Sequence, residues 1–228
     1  MQHVIKIRCR YIFRFNFKYS FNMQLIPLAE RMRPTVLEEV YGQQHLIGAG
    51  MVFRRFVEEG KIPSMILWGP PGVGKTTLAQ LLAATVGLPF YTLSAISSGV
   101  KEVRDVISKA QTDGKAVLFI DEIHRFSKSQ QDALLGAVEK GTIQLIGATT
   151  ENPSFEVIPA LLSRCQVYVL QPLSEEELVT LLHHAIEKDA YLKTKNISIK
   201  EHESLLRLSC GDARKLLNLL ELVVDASG

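Results

Sequence analysis

Short apolar segments alternate with stretches in which apolar residues recur at helical spacing, from about residue 23 onward. The apolar segments are typical of buried parallel strands and cover residues 64–68, 90–93, 116–120, 143–148 and 166–170. The stretches between them predict helices near residues 75–86, 100–111, 127–139 and 155–163. This alternation predicts an α/β fold with a doubly wound, parallel five-stranded sheet, whose ligand site lies at the carboxyl ends of the strands.

The strand pattern stops after Pro172. Ser174 and Glu177 form a capping-box pattern that opens a helix through about Lys188, and further helices are predicted near 200–208 and 212–224. We therefore expect an α/β domain over residues 23–171 and a small helical domain over 172–228. The last predicted helix is rich in leucine and valine and the sequence stops just after it, which favours a truncated chain.

Residues 1–22 differ from the rest, because aromatic or aliphatic residues alternate there with basic ones. The alternation is typical of a strand, and basic aromatic segments also contact nucleic acids or membrane surfaces. The composition changes abruptly at Met23, which favours an extension outside the fold.

A glycine-rich motif follows the first predicted strand. It fits the pattern G-x-x-x-x-G-K-[ST] and, with the next threonine, comprises Gly69, Pro70, Pro71, Gly72, Val73, Gly74, Lys75, Thr76 and Thr77. Glycines let main-chain N–H groups surround phosphate oxygens, and the following helix directs its positive end at them. Lys75 is predicted to reach the β- and γ-phosphates, and the Thr76 hydroxyl to bind Mg²⁺.

The third predicted strand ends in two acids, Asp121 and Glu122. This position places both carboxylates at the edge of the sheet that carries the glycine-rich loop. Asp121 is predicted to hold Mg²⁺ and Glu122 to activate the attacking water as a general base. The alternative is an acidic start to an ordinary loop. His124 follows closely, but its spacing makes no zinc site.

Four further polar residues are weaker candidates. Thr150, after the fourth strand, is placed to contact the γ-phosphate or the water, with Asn152 a second possibility, although both types are common in turns. Arg164 closes a predicted helix and is a candidate arginine finger for a neighbouring subunit; the alternative is an arginine favoured by the helix dipole. Arg214 opens the last helix, from which it can reach the phosphates.

Charge and cysteine content exclude several classes of protein. Five of the 26 basic residues fall within the first 22, where no acid occurs, so the remainder has 21 basic against 24 acidic residues. The chain is thus no uniformly basic nucleic-acid binder. Its three scattered cysteines make neither a disulfide framework nor a zinc site, which favours a reducing cytosol. The sequence contains no apolar run long enough to span a bilayer, and its first segment is a poor signal peptide.

Together these residues resemble an AAA+ ATPase, and in particular the replication-associated recombination protein A family, whose eukaryotic relative is the Werner-helicase-interacting ATPase. The resemblance covers about residues 25–224. It rests on segments 27–34, 41–46, 64–77, 98–102, 124–132 and 147–155. The sequences HRFSKSQQD (124–132) and GATTENPSF (147–155) are the most specific to the family.

The resemblance implies a role for each candidate. Lys75 and Thr76 fall on Walker A, Asp121 and Glu122 on Walker B, Thr150 on sensor 1, Arg164 on the arginine finger and Arg214 on sensor 2. The adenine is expected against residues 40–46, with Val40, Tyr41, Gly42, His45 and Leu46 as its contacts. The family implies ATP and Mg²⁺ as cofactors.

The resemblance also implies a DNA-dependent ATPase that acts at stalled replication forks in the bacterial cytoplasm, at the nucleoid. Its expected partners are forked, gapped or single-stranded DNA ends, single-stranded-DNA-binding protein, and three further copies in a tetramer, with no membrane. The family builds its tetramer with a C-terminal helical domain, before which this sequence stops.

Lys101 and Arg104, beside the small residues 97–100, are candidates for tracking a DNA backbone, with Lys128 and Ser129 as a second cluster. The alternative for both is a solvated helix face. For the whole protein, the alternatives to a DNA-remodelling ATPase are a nucleotide-binding scaffold with little hydrolysis and a branch-migration helicase motor.

Overall fold

The computed structural model describes residues 26–95, 98–195, 197–199 and 201–227. The contacts divide the chain into two units. The first comprises Gln44–Gly69 and Lys75–Leu170, and the second comprises the described residues 26–43, Pro70–Gly74 and the described residues after Leu170. The leader expected over residues 1–22 lies outside the described residues.

The first unit contains a five-stranded sheet, which confirms the predicted α/β class. Its strands are β1 (Met65–Trp68), β2 (Phe90–Ser94), β3 (Ala116–Asp121), β4 (Ile143–Thr149) and β5 (Gln166–Val169). All neighbouring pairs are parallel, in the order β2-β3-β4-β1-β5. The three central strands are almost wholly buried because they are apolar on both faces, as in sheets covered by helices.

In this unit α2 (Gln44–Ile47) and α3 (Val52–Glu59) precede β1. The strands are connected by α4 (Lys75–Val86), α5 (Val100–Asp113), α6 (Lys128–Glu139), α7 (Pro153–Glu156) and α8 (Pro159–Leu162). Side chains of α5 and α6, such as Val106 and Leu134, join Tyr91, Leu118 and Leu145 of the sheet in one buried cluster. This packing fixes the edge of the sheet at which β3 and β4 end.

The single helix predicted near residues 155–163 is wrong, because the structure has two short helices there, α7 and α8. Pro159 drives Ile158 into an extended conformation, with ψ of 139°. The main-chain N–H of Ile158 donates to the side chain of Gln131, 2.9 Å away, instead of to a helical carbonyl. The buried Gln131 side chain also donates to the carbonyls of Phe126 and Glu156, so it fixes the break between the two helices.

The second unit is helical. Its helices are α1 (Leu28–Arg31), α9 (Glu175–Lys188), α10 (Glu203–Ser209) and α11 (Ala213–Ser227). The predicted capping box is present at the start of α9, where Ser174 Oγ accepts from the Glu177 N–H and Glu177 accepts from the Ser174 N–H. The division by contacts falls between Leu170 and Gln171, and it groups residues 26–43 with the helices and not with the sheet.

A buried ion pair accounts for that grouping. Arg31 on α1 donates to both carboxylate oxygens of Asp189, at 2.7 and 3.1 Å, and to Glu221 on α11 at 2.7 Å. Its side chain is 7% exposed and that of Asp189 is 3% exposed. The Leu28 N–H also donates to Glu221, so two contacts tie α1 to α11.

Within the described part of the chain, none of the helices is both long enough and apolar enough to cross a membrane.

Candidate active site

The glycine-rich loop runs from the end of β1 to the start of α4. Gly72 and Gly74 have φ angles of +71° and +97°, which side chains rarely adopt. Lys75 is buried, and its ammonium donates to the carbonyl of Gly69 at 2.7 Å. The Lys75 side chain therefore folds back onto Gly69, the first residue of the loop.

Gly72 also lies close to the start of α11. A β-carbon at position 72 would collide with the carboxylate of Asp212. That carboxylate accepts from the N–H of Lys215 at 2.9 Å and so stabilises the first turn of α11. No residue larger than glycine fits at position 72 without moving Asp212.

The two acids lie where β3 ends. Asp121 is the last residue of the strand, and Glu122 has a left-handed φ of +56° that turns the chain sharply into the short 3₁₀ helix Ile123–Arg125. Both are half-buried. One carboxylate oxygen of Glu122, Oε2, lies 3.2 Å from His124 Nε2 and 4.0 Å from Arg125 Nε.

The predicted sensor threonine, Thr150, follows the last residue of β4 and is half-buried. The preceding residue, Thr149, is fully buried. Its hydroxyl lies 3.0 Å from His124 Nδ1 and accepts from the N–H of Glu151 at 3.0 Å. Sequence reasoning missed Thr149 and set His124 aside, although a hydroxyl at the end of an apolar strand was a usable signal.

Strand order brings these groups to one edge. The glycine-rich loop follows β1, the acids follow β3 and Thr150 follows β4, and these three strands are neighbours in the parallel sheet. The N–H of Gly69 donates to the carbonyl of Thr149 at 3.2 Å, so the first residue of the loop is bonded directly to the end of β4.

Arg164 lies at the end of the sheet where the strands begin, opposite the strand ends that carry the glycine-rich loop and the acids. It precedes β5, whose first residue, Gln166, donates its N–H to the carbonyl of Ser64 just before β1. The Arg164 guanidinium is exposed, forms an ion pair with Glu139 and donates to the carbonyl of Ala160. The structure therefore does not bring Arg164 to the lysine and the acids of its own sheet.

Arg214 belongs to the second unit, where it is the second residue of α11 and is exposed. The predicted adenine segment is divided between the units, with residues 40–43 in the second and residues 44–46 in the first.

In the second unit, Val40 is buried and the hydroxyl of Tyr41 is hydrogen-bonded to His184 Nδ1. Burial raises the pKa of Tyr41, and the nearby charge of Glu39 raises it further. Gly42 has a φ of +71°, and a β-carbon there would lie 3.2 Å from Glu177 Oε2.

Gln43, which sequence reasoning did not select, is buried in the same unit. Its amide group donates to the carbonyl of Gln171 and accepts from the Gln171 N–H, at 2.7 and 3.0 Å. In the first unit, His45 is exposed with Nε2 2.9 Å from the carbonyl of Val169, and Leu46 is buried.

Lys101, Arg104 and Lys128, the candidate DNA contacts, are all exposed. The Gln130 side chain, on the first turn of α6, donates to the carbonyl of Ser98 just before α5, at 2.7 Å. The two predicted basic clusters therefore stand at adjoining helix starts; Ser97 itself lies outside the described residues.

The chain is similar to proteins that are already known. Residues 65–173 match the ATPase family associated with various cellular activities (AAA). The chain is 51% identical over 209 residues to Replication-associated recombination protein A of Coxiella burnetii, which covers 90% of this chain and 48% of that protein. It is 44% identical over 229 residues to ATPase WRNIP1 of Dictyostelium discoideum, which covers 98% of this chain and 26% of that protein.

A solved structure is also similar. The Thermotoga maritima RuvB Holliday junction branch migration motor matches with a TM-score of 0.70 and 27% identity, over 85% of this chain and 65% of that one. The present chain spans about half the length of the bacterial relatives named Replication-associated recombination protein A that it matches. Residues 65–173 thus form a domain of the AAA family of ATPases, and the chain is homologous to those proteins.

Proposed function

We propose that this chain is the ATP-hydrolysing part of a DNA-dependent ATPase that acts in replication-fork maintenance, recombination and DNA repair. The observation that carries the proposal is the convergence of the glycine-rich loop, the acid pair and Thr150 on neighbouring strand ends. The AAA domain at residues 65–173 and the names of the relatives support it.

The loop is suited to bind the triphosphate. Gly72 and Gly74 keep side chains out of the turn, so main-chain N–H groups can face phosphate oxygens. The buried Lys75 ammonium exchanges its Gly69 carbonyl partner for the β- and γ-phosphates. The adenine contacts are Val40, Tyr41, Gly42, His45 and Leu46.

Thr76 and Asp121 are the residues that would hold Mg²⁺. A hydroxyl and a carboxylate are oxygen donors of the kind this ion prefers, and both residues are half-buried in the first unit. When bound, Mg²⁺ neutralises charge on the phosphate oxygens.

Glu122 is the general base. Its carboxylate takes a proton from the attacking water as the water oxygen bonds to the γ-phosphorus and the bond to the bridging oxygen of ADP breaks. Thr150 orients the water or the γ-phosphate by a hydrogen bond from its hydroxyl.

The two arginines complete the site. Arg164 acts on the nucleotide of a neighbouring copy in a homo-tetramer, which fits its place at the opposite end of the sheet from Lys75. Arg214 is the proposed sensor 2 residue.

DNA with forks, gaps or single-stranded ends is the proposed substrate, contacted by Lys101, Arg104 and Lys128. Single-stranded-DNA-binding protein is the proposed protein partner, and the bacterial nucleoid is the proposed location. A branch-migration motor is the second candidate function, favoured by the similarity to RuvB. A strand-displacement assay separates the two.

The test is phosphate release from Mg-ATP, with and without forked DNA. Glu122→Gln is expected to lower the rate by about a hundredfold or more while ATP still binds. Glu58→Gln, on the exposed side of α3, is the matched control and should hydrolyse ATP normally. Normal hydrolysis by Glu122→Gln would contradict the assignment of the base, and ATP binding without hydrolysis by the parent chain would favour a scaffold.

A further inference from the structure

A chain of contacts joins Glu122 to the end of β4. His124 Nε2 lies 3.2 Å from Glu122 Oε2, and the other ring nitrogen, Nδ1, lies 3.0 Å from the Thr149 hydroxyl. The imidazole therefore bridges the acid and the strand that leads to Thr150. His124 is 12% exposed, so water competes little for these contacts.

The Thr149 hydroxyl has three partners. It accepts from the N–H of Glu151 at 3.0 Å, and its single proton can go either to the carbonyl of Glu151 at 3.1 Å or to His124 Nδ1 at 3.0 Å. When the proton goes to Nδ1, the ring N–H is on Nε2 and faces the carboxylate oxygen of Glu122, 3.2 Å away.

Thr149 is rigidly held. It is fully buried, its carbonyl accepts from the N–H of Gly69, and its hydroxyl accepts from the N–H of Glu151. Thr150 lies between Thr149 and Glu151, both of which are held by these hydrogen bonds. The ring of His124 is thus oriented by the same threonine that fixes the turn carrying Thr150.

Packing brings His124 to this threonine. Gly147 lies in β4, and a β-carbon there would lie 2.7 Å from Ile66 Cδ1 and 3.0 Å from Ile123 Cδ1. The missing side chain lets Ile123, and with it the 3₁₀ helix that carries His124, settle against β4.

We propose that His124 is a positioning residue for Glu122. It holds one carboxylate oxygen through the 3.2 Å contact between Nε2 and Oε2, so that the other oxygen faces the attacking water, and Thr149 sets the orientation of its ring. This proposal rests on the proposed role of Glu122 as the general base.

Two conservative variants separate the two ring nitrogens. The amide of glutamine takes the place of Nε2 and keeps a donor for Glu122, whereas the amide of asparagine takes the place of Nδ1 and keeps only the contact to Thr149. His124→Asn is expected to lower kcat by about tenfold to a hundredfold, because the base is no longer held in place. His124→Gln should remain within about threefold of the parent by the same argument.

ATP affinity provides the readout that a merely structural defect would disturb. The Kd of a fluorescent ATP analogue, measured without turnover, is expected to be the same for the parent and both variants, as is the thermal midpoint. Lys140→Gln, at an exposed position just after α6, is the control and should retain the parent kcat. In a Glu122→Gln background, His124→Asn should lower the residual rate no further, because no carboxylate base is left to position.

The outcomes are distinct. Suppose first that Glu122→Gln abolishes hydrolysis. If His124→Asn then hydrolyses ATP like the parent, or if His124→Asn and His124→Gln lose activity equally, the role of His124 is refuted and that of Glu122 stands. If Glu122→Gln hydrolyses ATP normally, the proposed function fails first. If His124→Asn does not fold, Thr149→Val provides a second test because it removes the hydroxyl that orients the His124 ring. Thr149→Val is expected to lower kcat at unchanged ATP affinity, and Thr149→Ser, which keeps the hydroxyl, is its control. An unchanged kcat in Thr149→Val overturns the proposal.

Discussion

The carboxylate of Asp212 lies against the main chain of Gly72, in the space that a β-carbon at position 72 would fill. The glycine-rich loop is thereby packed against the N-terminal turn of α11, which carries Arg214. The space at position 72 therefore depends on the position of Asp212.

Gly72→Ala is expected to destabilise the chain by about 2–4 kcal/mol, since alanine is strained at positive φ and its methyl group overlaps Asp212. Gly50→Ala is the control, because Gly50 has a φ of +72° and nothing within 4 Å of a β-carbon, so only the strain of about 1 kcal/mol applies. Urea unfolding measures both. Adding Asp212→Ala to Gly72→Ala should recover part of the loss, and equal losses for the two single glycine variants would contradict the packing argument.

The buried pair of Arg31 and Asp189 makes stability depend on pH. Burial by itself would raise the pKa of Asp189, but hydrogen bonds from Arg31 and from the N–H groups of Leu192 and Tyr191 outweigh it and hold the pKa below 3.8. A lowered pKa in the folded state stabilises the fold at neutral pH, and that contribution is lost as the pH falls below 3.8.

Asp189→Asn is accordingly expected to cost about 3 kcal/mol at pH 7, because it leaves the Arg31 charge buried with one partner fewer. The difference from the parent should shrink as the pH drops below 3.8. Urea unfolding across this pH range gives the comparison. Glu30→Gln, which removes the partner of Arg33 in an exposed pair, is the control and should cost less than about 1 kcal/mol; a pH-independent difference for Asp189→Asn would argue against the ion pair.

Cys165 should resist alkylation in the folded chain. Burial raises its pKa from 9.0 to about 12, so the reactive thiolate is about a thousandfold scarcer than for an ordinary thiol. Cys210 is exposed and serves as the internal comparison. Peptide mapping after brief iodoacetamide treatment at pH 8 is expected to show Cys210 modified and Cys165 spared, with the two equally modified in urea. Rapid modification of Cys165 without denaturant would show that its surroundings open readily.

Lys101→Glu is expected to reduce the stimulation of ATP hydrolysis by forked DNA and to leave the basal rate and ATP affinity unchanged. The physical reason is the loss of a phosphate contact, which should also flatten the salt dependence of DNA binding. Lys109→Glu makes the same charge change on an exposed position near the other end of α5. Equal effects of the two variants would indicate a general electrostatic effect in place of a contact at the start of α5.

The local pattern of the sequence was sufficient to predict the sheet, most of the helices and the positions of Lys75, Asp121 and Glu122. Each of these depends on neighbours within a few residues: an apolar run forms a buried strand, and the polar residue that follows it must lie at the strand's end. The break at Ile158 escaped this reasoning because Gln131, on another helix, takes the N–H that a continuous helix would have used.

Tertiary structure alone decided the relationships between residues far apart in the chain. Packing against Gly147 brings His124 to Thr149, 25 residues away, and Arg31 meets Asp189 across 158 residues. Side-chain pairs of this kind leave no periodic trace in a single sequence, because they depend on which strands become neighbours and how closely helices approach them. The sequence thus determined which groups the chain offers at each strand end, and the packing of the folded chain decided which of them meet.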